Sequence, residues 1–180
     1  MAQSPNKKGS SIRTYGDPVL AAMADEITNI DGKLVNLAED MFRVMYQAPG
    51  LGLAGPQIGV QKQIFVYDVD DDPQVIINPK IVESSGEWVY DEGCLSIPGL
   101  YVEMLRPKNV LVRGINLQGN QVEFEADELL ARLFQHEVDH LNGVLMFDRM
   151  TPDQRREAVK LYRTREDQPK DAEPFHLKLV

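Results

Sequence analysis

The sequence predicts a single domain of the α+β class, and three observations support this fold class. The strand candidates come in runs rather than in alternation with helices, which favours separate sheets over a wound parallel sheet. The chain has 180 residues, enough for one domain with a sizeable core, and 43% of them are hydrophobic, as is ordinary for a globular protein. The sequence also contains neither an internal repeat nor an interdomain linker.

Individual elements are predicted from hydrophobic periodicity and from the residues that end each segment. Three segments have the pattern of helices: 33–47, 126–141 and 151–164. Six short segments have the pattern of strands: 64–69, 75–77, 81–82, 88–90, 110–117 and 122–125. The triplet Gln118-Gly119-Asn120 predicts a hairpin turn between the last two strands. We expect a flexible lead over 1–11, one folded domain over 12–165 and a polar tail over 166–180.

The composition argues against several functional classes. A net charge of −9 argues against a broad nucleic-acid surface, because phosphate binding needs clustered Lys and Arg. Cys94 is the single cysteine, so no intramolecular disulfide can form and a reducing compartment is favoured. No apolar run approaches membrane-spanning length, and no apolar stretch follows Lys7 and Lys8 as a secretory signal would require. We expect a cytoplasmic protein with no membrane contact and no direct nucleic-acid contact.

The strongest chemical signal is the run His136-Glu137-Val138-Asp139-His140. Residues four apart share one face of a helix, so two imidazoles at this spacing can hold one metal ion while Glu137 reaches its water. Leu129 and Leu133 fall on the same stripe as the histidines, which indicates a buried apolar face. The alternative is an ordinary buried helix with two hydrogen-bonded histidines.

A catalytic metal needs a third protein ligand, and Cys94 is the only thiol available. It lies in Glu92-Gly93-Cys94-Leu95-Ser96, a segment that follows a predicted strand. Pro98-Gly99 is expected to stop that segment from continuing as a strand. The alternative for a lone cysteine is a small buried hydrophobic residue.

A third feature is the glycine-rich segment 50–59. It lacks the Lys-Ser/Thr of a phosphate-binding loop, and it follows a helix whereas a dinucleotide-binding loop follows a strand. Its glycines indicate a backbone that a partner approaches closely, such as an extended peptide, and Gln57 adds a neutral donor. The alternative is a mobile surface loop, against which the apolar Leu51, Leu53 and Ile58 argue.

These three segments together resemble the three motifs of peptide deformylases, in the same order. The matching stretches are Gly-Leu-Gly-Leu-Ala-x-Pro-Gln, Glu-Gly-Cys-Leu-Ser and Gln-His-Glu-Val-Asp-His-Leu, and the resemblance runs from about Ile12 to Arg165. It implies that 12–165 is a catalytic deformylase domain, with small antiparallel sheets packed around the central helix that carries the histidines. It also implies removal of the formyl group from the N-terminal formyl-methionine of new polypeptides, with release of formate.

The resemblance implies a role for each matching residue. Cys94, His136 and His140 would hold one divalent ion, usually Fe²⁺ in this family, with Zn²⁺, Ni²⁺ or Co²⁺ as alternatives in purified protein. Glu137 would be the general acid/base. Gln57 and the backbone N–H of Leu95 would bind the oxyanion. The remaining expectations are substrate contacts: backbone hydrogen bonds from Leu51 and Gly52, and a methionine pocket lined by Leu129 and Leu133.

Two departures from the family pattern affect these expectations. Gly55 stands where the family usually has Ala, which predicts a looser loop. The polar, acidic stretch 165–173 does not resemble the basic C-terminal helix that some bacterial members use at the ribosome, so no ribosome contact is carried over. We expect a monomer that acts on formyl-methionyl peptide N-termini. A bacterial, phage-encoded or mature organellar origin stays open.

Two rival functions remain at this point. A zinc metalloprotease shares the His-Glu-x-x-His helix but usually takes a downstream His or Glu as third ligand, and the only downstream histidine is His176, expected to be a surface residue. The second rival is a binding protein with a structural metal site, or a family member that has lost activity, and a closed site of four protein ligands would favour it. Glu92 and Asp139 are candidates for orienting the ligands or, equally, plain surface acids.

Overall fold

The computed structural model describes residues 11–169 and 171–179, so the predicted lead over 1–11 lies outside the described residues apart from Ser11. The helices are α1 (Gly32–Gln47), α2 (Glu128–Leu141) and α3 (Pro152–Glu166). The strands are β1 (Gly52–Ala54), β2 (Ile64–Val69), β3 (Asp72–Ser85), β4 (Trp88–Cys94), β5 (Ile97–Arg106), β6 (Asn109–Ile115), β7 (Gln121–Asp127) and β8 (Phe175–Leu177). Short 3-10 helices span Pro18–Ala21, Gly55–Ile58 and Met146–Arg149.

The strands form two sheets, which confirms the predicted α+β class. The larger sheet has the order β1-β2-β3-β6-β7 with antiparallel neighbours throughout. The smaller sheet has the order β4-β5-β8, in which β4 and β5 are antiparallel and β5 and β8 are parallel. The hairpin expected at 118–120 joins β6 to β7, with Gly119 at a φ of 81° that suits glycine.

Alternation of side chains along β2 places the larger sheet between two helices. Phe65 packs toward α2 in a cluster with Phe134, whereas its neighbours Ile64 and Val66 pack toward α1 with Met41. A third apolar cluster joins α3 to the smaller sheet, through residues such as Tyr162 and Val102. Helix α2 is buried from Ala131 to Leu141, so it is the central helix that the resemblance implied.

Two of the three described α-helices have a side-chain N-cap, and the one at Thr151 was predicted. Asp31 caps α1, since its carboxylate accepts hydrogen bonds from the N–H groups of Lys33 and Leu34. Thr151 caps α3 as predicted, and it exchanges reciprocal hydrogen bonds with Gln154. Helix α2 begins at Glu128 rather than at residue 126, because Ala126 and Asp127 complete β7. None of the described helices has the length and apolar character needed to span a bilayer.

Several strands are longer than predicted. The segments 75–77 and 81–82 belong to one strand, β3, whose pairing with β6 shifts register on either side of Lys80. Pro79 lies where the register shifts. A residue without an N–H is tolerated there because the regular hydrogen bonds between the strands are already interrupted. The segment 88–90 extends through β4 to Cys94, so the cysteine ends a strand.

The expectation that Pro98-Gly99 stops the chain from forming a strand is wrong. β5 runs through both residues, with Pro98 exposed near its start and Gly99 at a φ of 79°. The tail over 166–180 contains β8, whose Leu177 is buried beside α3. Both features depend on strand pairing, of β5 with the adjacent β4 and of β8 with β5, which local sequence patterns do not reveal.

Candidate metal centre

Cys94, His136 and His140 converge on one point. Their donor atoms all lie within 4.8 Å of one another, with 3.3 Å from Cys94 Sγ to His140 Nε2 and 3.2 Å between the two Nε2 atoms. β4 ends at the cysteine, and the histidines lie one turn apart on α2. One thiol and two imidazoles are the donors that divalent transition metals prefer, so the residues fit a metal ion.

Glu92 fixes the orientation of His136. The imidazole Nδ1 donates to the carboxylate over 2.7 Å, which leaves Nε2 directed toward the other two donors. Arg106 makes two hydrogen bonds of 2.6 Å to the same carboxylate, and Arg132 adds one of 2.8 Å. Burial alone would raise the pKa of Glu92, but the bonds from Arg106 and His136 hold that pKa well below its ordinary value. Glu92 is therefore a buried carboxylate that orients a ligand, not a surface acid.

Asp139 is also buried, and it links the hydrogen-bond network around Glu92 to Arg149. Its carboxylate accepts from Arg106 over 2.9 Å and from Arg149 through two guanidinium nitrogens. The hydrogen bonds described for the Asp139 carboxylate go to arginines rather than to the ligand histidines, and Arg106 bridges it to Glu92, which holds His136. Sequence patterns did not identify Arg106, because a strand residue paired with two distant acids has no local signal.

The surroundings of His140 favour its neutral form. Burial, together with the nearby His136, lowers its pKa well below the ordinary value for histidine. A neutral imidazole keeps the lone pair that a metal ion needs. Among the described residues its Nδ1 is buried without a hydrogen-bond partner.

Glu137 lies beside the three ligands, and the described hydrogen bonds join it to none of them. Its side chain is 4% exposed, and burial raises its pKa to about 7, although His136 opposes the shift. Among the described residues its Oε2 has no hydrogen-bond partner. The other oxygen packs against Gly52, where a Cβ would lie 2.6 Å from Oε1. Gly52 thus makes room for this carboxyl group.

Gln57 presents an amide N–H to the cysteine. Its Oε1 accepts from the backbone N–H of Ala54 over 2.8 Å, which fixes the orientation of the amide. Its Nε2 then points toward Ser96 Oγ, 3.2 Å away, and Cys94 Sγ, 3.9 Å away. The side chain is 1% exposed, so its position is set by packing as well as by hydrogen bonds.

A cleft of about 810 Å³ opens onto these groups. Its lining includes the segment 48–52, which leads from α1 into β1, and the segment 90–95, which covers the end of β4 and the residue after it. Of the site residues predicted from the sequence, His140 alone is not in the lining of the cleft. The others are Leu51, Gly52, Gln57, Cys94, Leu95, Leu129, Leu133, His136 and Glu137. His176 is not part of this cluster, since its imidazole bonds to Asp91 and stacks on Tyr101.

Arg132 also lines the cleft and was not predicted. Its guanidinium, over the ring of Trp88, donates to the carbonyl oxygens of Trp88 and Met104 and to Glu92. Arg132 lies one turn before His136 on α2. A charged residue among apolar ones on this face of the helix is unusual, and that signal could have identified it in the sequence.

The glycine-rich segment is ordered rather than loose. It forms β1 and the 3-10 helix Gly55–Ile58. Gly55 is buried, and a Cβ there would lie 2.8 Å from the carbonyl oxygens of Val60 and Lys62. The prediction that Gly55 loosens the loop is therefore wrong for this backbone, since the missing methyl group allows closer packing.

An α+β domain with a thiol, two helical imidazoles and a buried carboxyl group in an open cleft has the features of a metal-dependent hydrolase. A model of the polypeptide deformylase family matches residues 10–156. The peptide deformylase of Clostridium botulinum is 49% identical over 141 residues, which cover 78% of this chain and 96% of that protein. The peptide deformylase of Thermodesulfovibrio yellowstonii is 42% identical over 159 residues, covering 86% of this chain and 96% of that protein.

Solved structures agree with the sequence matches. The peptide deformylase of Legionella pneumophila has a TM-score of 0.82 and 38% identity, with coverage of 88% of this chain and 98% of that one. The enzyme of Synechococcus elongatus, solved in complex with actinonin, has a TM-score of 0.82 and 38% identity over 97% of this chain and 96% of that one. This chain belongs to the polypeptide deformylase family. It is a metal-dependent hydrolase that removes the formyl group from the N-terminal formyl-methionine of new polypeptides.

Proposed function

We propose that deformylation takes place in the cleft beside Cys94, His136 and His140, with Glu137 as the general acid/base. The observation that carries this assignment is the convergence of three donor atoms next to a buried carboxyl group whose Oε2 has no hydrogen-bond partner among the described residues. Buried polar atoms are nearly always paired, so an exception in a cleft is best explained by a partner that arrives with the reaction.

Glu137 has the position and the proton affinity for this role. A divalent ion held by the three ligands would act as a Lewis acid and make water acidic enough to react at neutral pH. Glu137 accepts the proton of the attacking water and then donates it to the leaving amine nitrogen as the bond between carbon and nitrogen breaks. Formate and a free N-terminal methionine result. A pKa of about 7 suits a group that must both take and return a proton near neutral pH.

Gln57 and the backbone N–H of Leu95 stabilise the negative charge that develops on the former carbonyl oxygen. Support for Gln57 comes from its fixed amide, whose Nε2 faces Cys94. Support for Leu95 comes from its place next to the cysteine in the lining of the cleft. Donors already in place need no reorganisation during the reaction, which is why they contribute strongly to rate.

The substrate lies as an extended strand along the edge of the larger sheet. Because β1 is an edge strand, the backbone groups of Leu51 and Gly52 are placed to bond to an added strand. Leu129 and Leu133 line the cleft together with His136, where the methionine side chain would bury apolar surface. Leu129 is 42% exposed, so substrate binding would remove apolar area from water.

Ferrous iron is the proposed native ion, by resemblance to the family. The donor set suits several divalent metals, and Zn²⁺ binds such ligands more tightly than Fe²⁺, so Zn²⁺, Ni²⁺ or Co²⁺ can replace iron in purified protein. A cytoplasmic location follows from the substrate, which is a new polypeptide, and from the need for Cys94 to stay reduced. The enzyme is proposed to act as a monomer without direct nucleic-acid contact, and its acidic tail gives no support for a ribosome contact.

Formate release tests the proposal. Protein is purified without oxygen, stripped with a chelator and reloaded with Fe²⁺ or Ni²⁺, and turnover of formyl-Met-Ala-Ser is measured in each state. We expect turnover only in the loaded states, loss of both ion and turnover in Cys94→Ser, and retention of the ion in His176→Ala. Loss of the ion in His176→Ala with retention in Cys94→Ser would favour the metalloprotease alternative.

A further inference from the structure

The outer face of the smaller sheet carries a row of three neighbours on three strands. Gly93 pairs with Tyr101, and Tyr101 pairs with His176. A Cβ on Gly93 would lie 2.6 Å from Tyr101 Cε1, so the tyrosine ring lies directly against the Gly93 backbone. The imidazole of His176 is stacked with that ring, with 5.1 Å between centroids and 10° between planes.

His176 also reaches across the sheet to β4. Its Nδ1 lies 3.2 Å from a carboxylate oxygen of Asp91, on the far side of Tyr101. The imidazole therefore contacts two residues that line the cleft without lining it itself. A histidine that holds both a ring and a carboxylate restricts where each of them can move.

The C-terminal segment is anchored firmly enough to hold His176 in place. Leu177 is buried among residues of α3 and β5, on the opposite face of β8 from His176. Arg165, at the end of α3, packs against Gly99 and donates to the carbonyl oxygens of Pro169 and Ala172 over 2.8 and 2.9 Å. These contacts fold the chain back so that β8 can pair with β5.

Tyr101 and Asp91 lie where the substrate leaves the metal centre. β4 is an edge strand of its sheet, and its residues Asp91 to Cys94 line the cleft. An extended peptide advances about 3.3 Å per residue. With its formyl group at the Cys94 end, a substrate strand would pass its second and third residues beside Gly93 and Asp91.

We propose that His176 is a positioning residue that holds Tyr101 and Asp91 as the downstream rim of the cleft, and so favours formyl-methionyl peptides of three or more residues over shorter ones. This inference rests on the proposed placement of the reaction at Cys94, His136 and His140. The C-terminal strand β8 then contributes to the binding of longer substrates. It contributes nothing for substrates that end at methionine, because these do not reach the rim.

The test compares two substrates, formyl-Met-Ala-Ser and formyl-methionine amide, using the metal-loaded full-length protein. For His176→Ala we expect the ratio of kcat/KM between the long and the short substrate to fall roughly 3- to 10-fold, the scale of one lost aromatic contact. The change should appear in KM for the long substrate rather than in kcat. His176→Phe, which restores the stacked ring, should recover most of the ratio. Lys178→Ala, an exposed residue just beyond β8, is the matched control and should leave the ratio unchanged.

An unchanged ratio in His176→Ala would overturn the inference. An equal loss on both substrates would also overturn it, because it would indicate a general effect on folding rather than on the rim. If the wild-type protein turns over neither substrate when loaded with metal, the proposed function fails first, and the inference fails with it.

Discussion

Two clusters of buried polar side chains lie side by side between α2 and the smaller sheet, and they differ in how completely their carboxylate groups are paired. In the first, every carboxylate oxygen of Glu92 and Asp139 accepts a hydrogen bond from an arginine or a histidine. In the second, formed by Cys94, His136, Glu137 and His140, the described residues leave Glu137 Oε2 without a partner.

This difference separates the residues that hold the geometry of the site from the residues that take part in the reaction. Buried carboxylates whose oxygens are all paired hold their geometry, because any movement leaves a charge without a partner in a medium of low dielectric constant. Polar atoms left without protein partners at the edge of a cleft are costly to the fold and are retained where a ligand completes them. Substitutions in the first cluster should therefore reduce stability, and substitutions in the second should reduce turnover.

The largest expected effect is on turnover, from Glu137→Gln. The amide keeps the shape of the side chain but cannot accept the proton, so kcat should fall roughly 100- to 10,000-fold. Metal content should stay at the wild-type level, because Glu137 is not one of the converging ligands. Formate release and elemental analysis of the same samples measure both quantities. Glu128→Gln, an exposed residue at the start of α2, is the control, and near-wild-type turnover in Glu137→Gln would contradict the assignment.

The next effect is also on turnover, from Gln57→Leu. Loss of one oxyanion donor typically lowers kcat about 100- to 1000-fold. KM should change little, since the donor acts on charge that develops during the reaction. Steady-state kinetics with the metal-loaded protein measure the two constants. Gln61→Leu, in the same part of the chain but outside the lining of the cleft, is the control. A rise in KM with kcat unchanged would show that Gln57 binds the ground state instead.

In the paired cluster, Arg106→Met should reduce stability. The change leaves Glu92 and Asp139 short of their main partner, and breaking a buried ion pair of this kind typically costs about 3–5 kcal/mol. Urea unfolding at pH 7, with wild type and variant in the same metal state, measures the free energy of unfolding. The control is Arg113→Met, which removes an exposed ion pair with Glu123 and should change little. Equal losses in the free energy of unfolding for the two variants would mean that the buried network stabilises the fold no more than an exposed ion pair does.

The smallest expected effect comes from Gly55→Ala. A Cβ at this position meets two backbone carbonyl oxygens at 2.8 Å, and overpacking of this kind typically costs about 1–3 kcal/mol. Gly32→Ala is the matched control, because no atom lies within 4 Å of a Cβ there and alanine favours a helix. Thermal unfolding compares the two variants with wild type. If Gly55→Ala leaves the melting temperature unchanged, the loop can accommodate the methyl group.

The sequence predicted the elements whose signals are local. The helix that carries His136 and His140 follows from spacing and periodicity, and the N-cap at Thr151 follows from side-chain chemistry. β8 was missed because it is stabilised by pairing with β5, which is distant in the chain. β5 was missed because pairing with the adjacent β4 on one side and with β8 on the other overrides the local effect of Pro98 and Gly99.

The same distinction between local and long-range signals holds for the residues of the metal centre. The ligands and Glu137 lie in recognisable motifs, so each of them could be named before the geometry was known. Arg106 and Arg132 could not, because their role depends on contacts with Glu92 made across 14 and 40 residues of sequence. Long-range charge pairing of this kind has no periodic or short-range pattern.

The most direct test of the central claim is the absorption spectrum of the Co²⁺-loaded protein, with the ion counted by elemental analysis. One Co²⁺ per chain with sulfur-to-cobalt charge transfer is the predicted result for the wild type. Cys94→Ser should lose that transition and most of the ion, while Arg113→Met keeps both. A wild-type spectrum without a sulfur ligand, or an ion retained in full by Cys94→Ser, would contradict the placement of the metal at Cys94, His136 and His140.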